Sequence, residues 1–183
     1  MLAAAKTLAT DSNGNTALHR CTTPKEVEAL VALGLNVNAK NDEDINPLHS
    51  ACSNDRLEAA QMLIAVGTDV NAKSTDDWTP LHSVCIHGHL ETAQTLIAAG
   101  ADVNARGGGG WAPLHYACNS GNPKLAQTLI AAGADLNVKT DAGNIPLDLC
   151  KTDEMRALLF ARKVERIPKD LLAALKDLLA QYE

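Results

Sequence analysis

Aromatic side chains are scarce in this sequence: one Phe, two Trp and two Tyr make up 3% of 183 residues, although 46% are hydrophobic. A core built on large rings is excluded, so small regular contacts among Ala, Val, Leu and Ile must supply the packing. Positive charge is also short. Sixteen Lys and Arg against 22 Asp and Glu leave a formal charge of -6, which argues against nucleic acid as a partner, because phosphate binding needs a basic face. The same charge fits a partner that carries a basic patch. No apolar run approaches the roughly 20 residues that cross a bilayer, so no membrane partner is expected. Lys6 interrupts the opening Met1 to Ala9 where a secretion signal needs an unbroken apolar core, and none is expected.

What the chain does have is a period. Thr79 to Asn104 reads TPLHSVCIHGHLETAQTLIAAGADVN, and a shift of 33 positions reproduces it. The opening recurs as Asn46-Pro47-Leu48-His49 and Ala112-Pro113-Leu114-His115. Pro47, Pro80 and Pro113 step by 33, as do Gly34, Gly67, Gly100 and Gly133. A phased ladder of this length describes an elongated stack of supersecondary units with no central core. The second half of each unit carries apolar residues in register: Val27, Ala60, Ala93, Ala126; Leu30, Leu63, Leu96, Leu129; Val31, Ile64, Ile97, Ile130. Positions three and four apart share a helical face, so these rows predict the core between units. The Gly after each such helix suits a left-handed cap.

The ends depart from the pattern. Asp11-Ser12-Asn13-Gly14 reads as a turn in which Gly14 takes positive φ. His19 to Gly34 is 15 positions where His82 to Gly100 is 18, which places a three-residue deletion in the loop between the first two helices. Thr23-Pro24-Lys25-Glu26 then predicts a firm start for the second helix. In the fifth unit Asp148 replaces the motif His, and that unit is shortened too. Residues 1–10 have the composition of a short capping helix or a frayed end. Behind Pro168, Leu171, Leu172, Leu175, Leu178, Leu179 and Tyr182 fall at helical spacing; such a helix either covers the apolar end of the stack or pairs subunits.

The stretch from Thr79 to Asn104, with its TPLH opening, its Gly88-His89 divide and its Gly100-Ala101-Asp102-Val103-Asn104 close, resembles an ankyrin repeat. The resemblance covers residues 11–160. It implies an all-α repeat protein, an ankyrin-repeat α-solenoid of about five repeats with β-hairpin arms; outside it, residues 1–10 read as a capping segment and 161–183 as an extra C-terminal capping helix. It implies a structural role for the motif His, hydrogen-bonded across the stack, and non-catalytic protein recognition on the concave face.

Several stretches invite chemistry. His49, His82 and His115 each precede a Cys by three residues, at Cys52, Cys85 and Cys118, but zinc needs four ligands at about 2.0–2.3 Å from one point. Units stacked roughly 10 Å apart cannot bring two such pairs together, so no metal is expected. The same spacing is too wide for a disulfide, and the five cysteines read as small buried thiols in a reducing, cytoplasmic compartment. Gly107-Gly108-Gly109-Gly110 lacks the Lys-Ser/Thr of a phosphate cradle and reads as a flexible turn at an arm tip. No nucleophile has a base on its own helical face, and no paired carboxylates lie in apolar surroundings. Neither enzymatic activity nor a cofactor is expected.

The strongest functional signal is a row in step with the repeat: Ile45, Trp78 and Trp111 stand two residues before the Pro of three units. The resemblance puts this row on the inner face of the arms, where a partner commonly binds, and exposed aromatics anchor interfaces; each indole alternatively packs over the neighbouring arm. The resemblance adds Tyr116 and the variable first-helix positions Ser53 and Asn54, Ile86 and His87, Asn119 and Ser120. Asp42, Glu43, Asp76 and Asp77 gather at two arm tips and would rim the groove. Asp44 and Asp77 replace the usual Gly there. The expectation is a monomeric module that binds a protein partner. The alternative is a structural self-assembly protein that dimerises through the Leu-rich C-terminal helix.

Overall fold

The computed structural model describes residues 10–165 and 167–173. Nine α-helices between residues 17 and 165 fall into two layers. The first layer comprises α1 (Ala17–Arg20), α3 (Pro47–Ser53), α5 (Pro80–His87) and α7 (Pro113–Ser120), ending in a 3-10 turn at Pro146–Leu149. The second comprises α2 (Pro24–Ala32), α4 (Leu57–Ala65), α6 (Leu90–Ala98), α8 (Pro123–Ala131) and α9 (Asp153–Glu165). Each helix packs on its equivalent in the next repeat and on its own partner.

Local chemistry sets the boundaries. Pro opens α2, α3, α5, α7 and α8 at the position where a missing N–H is harmless. Thr23 caps α2, accepting the Glu26 N–H at 3.3 Å, while Glu26 Oε2 takes the Thr22 and Thr23 N–H groups at 2.7 and 3.1 Å. Gly34, Gly67, Gly100 and Gly133 end the second helices with φ between 87° and 96°. The three-residue deletion falls within the first helix rather than in the loop: α1 has 4 residues where α3 has 7. Thr23, extended ahead of Pro24 at φ -125° and ψ 153°, forces the chain out of helix early.

The core is a set of rows. Leu18, Leu48, Leu81 and Leu114 line the first layer; Val27, Ala60, Ala93 and Ala126, with Leu63, Leu96 and Leu129, line the second, all buried. Each buried Leu contributes roughly 1.5–3 kcal/mol. Leu30 and Val31 are only half-buried because the described chain has no earlier repeat to cover them, and Ile64 and Ile97 sit at the margin of the row.

Two ladders of side-chain hydrogen bonds tie the repeats together. His19, His49, His82 and His115 donate from Nε2 to the carbonyls of Ile45, Trp78, Trp111 and Asn144 at 2.9, 3.0, 3.1 and 3.2 Å. The other ring nitrogen, Nδ1, accepts the N–H of the residue that caps the same helix, at 3.0 Å from Thr16, Thr79 and Ala112 and 3.3 Å from Asn46. Asn38, Asn71 and Asn104 form the second ladder, each accepting the N–H of the Asp in the next repeat, Asp69, Asp102 or Asp135, at 2.8 Å.

The arms depart from expectation. None of the described residues lies in a strand, so the β-hairpins implied by the resemblance are replaced by tight turns. Two backbone bonds close each arm: Asn41, Ser74, Gly107 and Thr140 donate their N–H to the carbonyls of Ile45, Trp78, Trp111 and Asn144 at 2.8–3.0 Å, and accept the N–H of residues 44, 77, 110 and 143 at 2.9–3.0 Å. Neighbouring tips share at most one backbone bond, such as Thr75 N–H to Glu43 O at 3.0 Å and Asp141 N–H to Gly109 O at 2.9 Å. A sheet needs a run of such bonds, and residues 44, 77, 110 and 143, all left-handed, turn each chain back before one can form.

At the C-terminal end α9 buries Met155 and Leu159. Residues 169–173 are helical beyond Pro168, with Leu171 exposed and Leu172 half-buried. The expected residues Leu175, Leu178, Leu179 and Tyr182, like the segment 1–9, lie outside the described residues. No helix among the described residues is long and apolar enough to cross a membrane.

Candidate functional site

The row Ile45, Trp78, Trp111 owes its position to the His ladder: these are the residues whose carbonyls the preceding repeat's imidazole holds. The side chains therefore leave from backbone fixed at its root. Trp78, Trp111 and Tyr116 come together as one cluster. Tyr116 rises from α7 between the two indoles, 5.7 Å from Trp78 at an edge-on 66° and 4.7 Å from Trp111 at 37°. All three are half-buried, so each keeps part of a ring surface open. Ile45, half-buried as well, lies one repeat before the rings.

The tetraglycine stretch has a defined role beside this cluster. The Trp78 indole lies across Gly107: a Cβ there would stand 2.7 Å from Trp78 Cδ1. Gly108–Gly110 forms a 3-10 turn whose last residue is buried and left-handed at φ 71°. A Cβ on Gly110 would meet the backbone nitrogen of Asp141 at 3.0 Å. The run is thus a seat for an indole and a close crossing of two arms, and Arg106 Nη2 meets Asp141 Oδ1 across that crossing at 3.3 Å. These contacts span repeats, and nothing in the local sequence announces them.

The acidic tips are exposed. Lys73 Nζ meets Asp77 Oδ1 at 3.1 Å and Lys40 Nζ meets Asp44 Oδ1 at 3.3 Å, each pair bridging the base and tip of one arm. Asp44 and Asp77, where the family's Gly is expected, both adopt φ 59°, a region Asp enters more readily than most residues. Asp42, Glu43 and Asp76 are exposed.

The remaining candidates form a second group. Ser53, Ile86 and Asn119 are half-buried, while Asn54, His87 and Ser120 are exposed, all at the C-terminal ends of the first-layer helices. A helix of eight residues separates them from the arms, about 12 Å along its axis. Their polar atoms are partly engaged: Asn54 Nδ2 donates to Ser50 O at 2.8 Å, His87 Nδ1 to Ser83 O at 2.8 Å and Ser120 Oγ to Ala117 O at 3.2 Å. His87 stacks on His89 with ring centres 5.5 Å apart. His89 faces Asp55 at 3.5 Å, and Asp55, left-handed at φ 51°, accepts the Thr92 hydroxyl at 2.9 Å. Sequence reading missed this tie across repeats; a non-glycine residue held left-handed in a short loop marks it.

The reactive residue types are committed to structure. Burial is the largest influence on His19, His49, His82 and His115 and pulls all four below the ordinary imidazole range, His49 to about 4. These rings stay neutral at physiological pH with both nitrogens engaged. Burial pushes the Cys52, Cys85 and Cys118 thiols far up and Cys21 to about 11, so no thiolate forms near neutrality. All five cysteines are free and buried. Among the described residues no group of three His, Cys, Asp or Glu side chains stands ready to hold a metal ion.

Among curated proteins none matches the chain. A family model described as ankyrin repeats in three copies matches residues 1–74 and 48–140. Those spans together cover 1–140 of 183 residues, and the described residues within them hold the helix pairs, caps and His ladder set out above. The chain belongs to the ankyrin repeat family.

Proposed function

We propose that this chain is a non-catalytic binding module whose stack, residues 11–160, holds a protein partner on its concave face, where the arms and the first-layer helices meet. Ankyrin repeats are in general protein–protein interaction modules. The observation that carries the reading is the cluster of Trp78, Tyr116 and Trp111, three half-open rings of which the two indoles stand on backbone pinned by the His ladder. Such rings bury large area and lose few rotors on binding. Ile45 extends the row, and Ser53, Asn54, Ile86, His87, Asn119 and Ser120 supply polar and apolar contacts farther along the helices. Asp42, Glu43, Asp76 and Asp77 place negative charge at the rim, which steers a partner with a basic patch. The net charge of -6 supports a partner that is not nucleic acid. Five free thiols support a reducing, cytoplasmic setting.

Affinity capture from host lysate tests the reading, with wild type beside Trp78→Ala/Trp111→Ala. A protein retained by wild type and lost from the double variant, with the variant's helical circular dichroism intact, is the expected result. Equal retention by both would exclude the aromatic cluster as the anchor.

A further inference from the structure

The stack carries a second surface at its C-terminal end. The ladder of ring-to-carbonyl bonds stops there: His115 donates to Asn144 O at 3.2 Å, and the next position in the series is Asp148. Asp148 Oδ2 accepts the Ile145 N–H at 2.9 Å, so it does within its repeat what imidazole Nδ1 does in the others. A carboxylate has no hydrogen to donate onward. A further repeat docked here would set its arm carbonyl against a negative charge, and the end of the stack is closed to continuation by a unit of its own kind.

The same end is nevertheless apolar. Leu147, Asp148, Arg156, Ala157 and Phe160 line an open groove of about 470 Å³. Phe160, at 63%, is the most exposed large hydrophobic side chain among the described residues. Arg156 and Phe160 lie four apart on α9 and so share a face. The groove also carries one base and one acid. Among the described residues Arg156 is engaged only by Asp153, in an exposed pair at 3.3 Å on its own helix, which little free energy holds in place. Asp148 has no ion pair among the described residues.

A surface with one apolar projection, one apolar recess, one cation and one anion has the groups that a two-fold interface pairs, cation to anion and projection to recess. We propose that this face pairs two copies of the chain end to end. Arg156 of each copy meets Asp148 of the other, and Phe160 of each enters the recess beside Leu147 of the other. This pairing uses described residues of the fifth repeat and α9, and it does not depend on the Leu-rich stripe at the chain's end. It leaves both arm faces free, so the dimer presents two binding surfaces and gains avidity for a repeated or clustered partner.

Sedimentation velocity on the full chain from micromolar to millimolar concentration tests the proposal. Wild type is expected to form a dimer, and Phe160→Asp to raise the dissociation constant about 100-fold, as loss of a central apolar anchor does, without lowering the melting temperature. Arg156→Glu alone and Asp148→Lys alone are each expected to stay monomeric, since like charges then face each other, whereas an equimolar mixture of the two restores a dimer of one copy of each. A monomeric wild type, a dimer indifferent to Phe160→Asp, or charge variants that do not associate on mixing would each overturn the proposal. A monomeric wild type whose melting temperature falls on Phe160→Asp would show instead that the chain's own residues 174–183 cover the groove. Because Asp148 also accepts the Ile145 N–H, Phe160→Asp stands as the deciding variant should Asp148→Lys fail to fold.

Discussion

Acid should loosen this stack well above the pH at which carboxylates titrate. His49 is 1% exposed, accepts the Asn46 N–H at Nδ1 and donates from Nε2 to Trp78 O. Burial holds its pKa at about 4, against about 6.5 in an unfolded chain. Between those two values the unfolded chain binds more protons than the folded one, so stability rises with pH across the window. The contribution of neutral His49 is complete above about pH 6.5 and is lost as the pH falls toward 4. Integrating the shift gives about 3 kcal/mol in all, of which about 2 kcal/mol is gone by pH 5. His19, His82 and His115 are lowered by burial in the same direction and add to the loss. Asp11 and Glu26 are also lowered, chiefly by backbone N–H bonds from Asn13 and Thr22; their contributions fade only at lower pH, in the carboxylate range. Urea unfolding followed by Trp fluorescence at pH 7.5, 6.5, 5.5 and 5.0 measures the effect, and for a chain of this size 2 kcal/mol corresponds to about 4–8 °C in melting temperature. His49→Gln, which cannot titrate, should be less stable at pH 7.5 and show a flatter pH dependence. A midpoint that is constant from pH 7.5 to 5, or an unchanged slope in His49→Gln, would refute the reasoning.

Three substitutions probe neighbouring features. Asn46 presents Oδ1 at 2.7 Å to His49 Nδ1, where Thr79 places a hydroxyl at 2.9 Å from His82 Nδ1. A hydroxyl can donate to that nitrogen and an amide oxygen cannot, but Thr gives up the bond from Asn46 Nδ2 to Asp69 O at 3.3 Å, so Asn46→Thr should stabilise by no more than about 0.5 kcal/mol, seen as a slightly higher denaturation midpoint. Thr68 buries an Oγ1 with no hydrogen-bond partner where the next repeats have Ala101 and Ala134; Thr68→Ala should stabilise by about 1 kcal/mol in the same assay. Gly107→Ala puts a methyl 2.7 Å from Trp78 Cδ1 and should cost about 1–3 kcal/mol, with the tryptophan emission shifting to the red as the indole leaves its seat. Unchanged emission would mean that Trp78 does not rest there.

Much of the fold was legible because it is local and repeated. Pro at a helix start and Gly at a helix end act through their own backbone, so their 33-residue step located the helices of the full repeats. The apolar rows followed from helical spacing. Features that depend on contacts across repeats were harder to see. The shape of the arms rests on how many bonds neighbouring tips share, and with at most one per pair they form turns rather than strands. The tetraglycine run read as a flexible turn because its meaning lies in Trp78, 29 residues before Gly107. Of the candidate site, the period aligned Trp78 with Trp111, while Tyr116 closed the cluster through its reach from α7. The helix-end positions shared the period with the arms but stand about 12 Å from them along the helix axis. The deletion in the first repeat was counted correctly, but it shortens a helix because Pro24 dictates the conformation of the residue before it.

The most direct test of the proposed binding face is hydrogen exchange of the free chain against its complex with the captured partner. Added protection is predicted at the arm tips 41–45, 74–78 and 107–111 and along α3, α5 and α7, with α2, α4, α6 and α8 unchanged. Protection confined to the second-layer helices or to α9, with the arms exchanging as in the free chain, would contradict the assignment of the concave face.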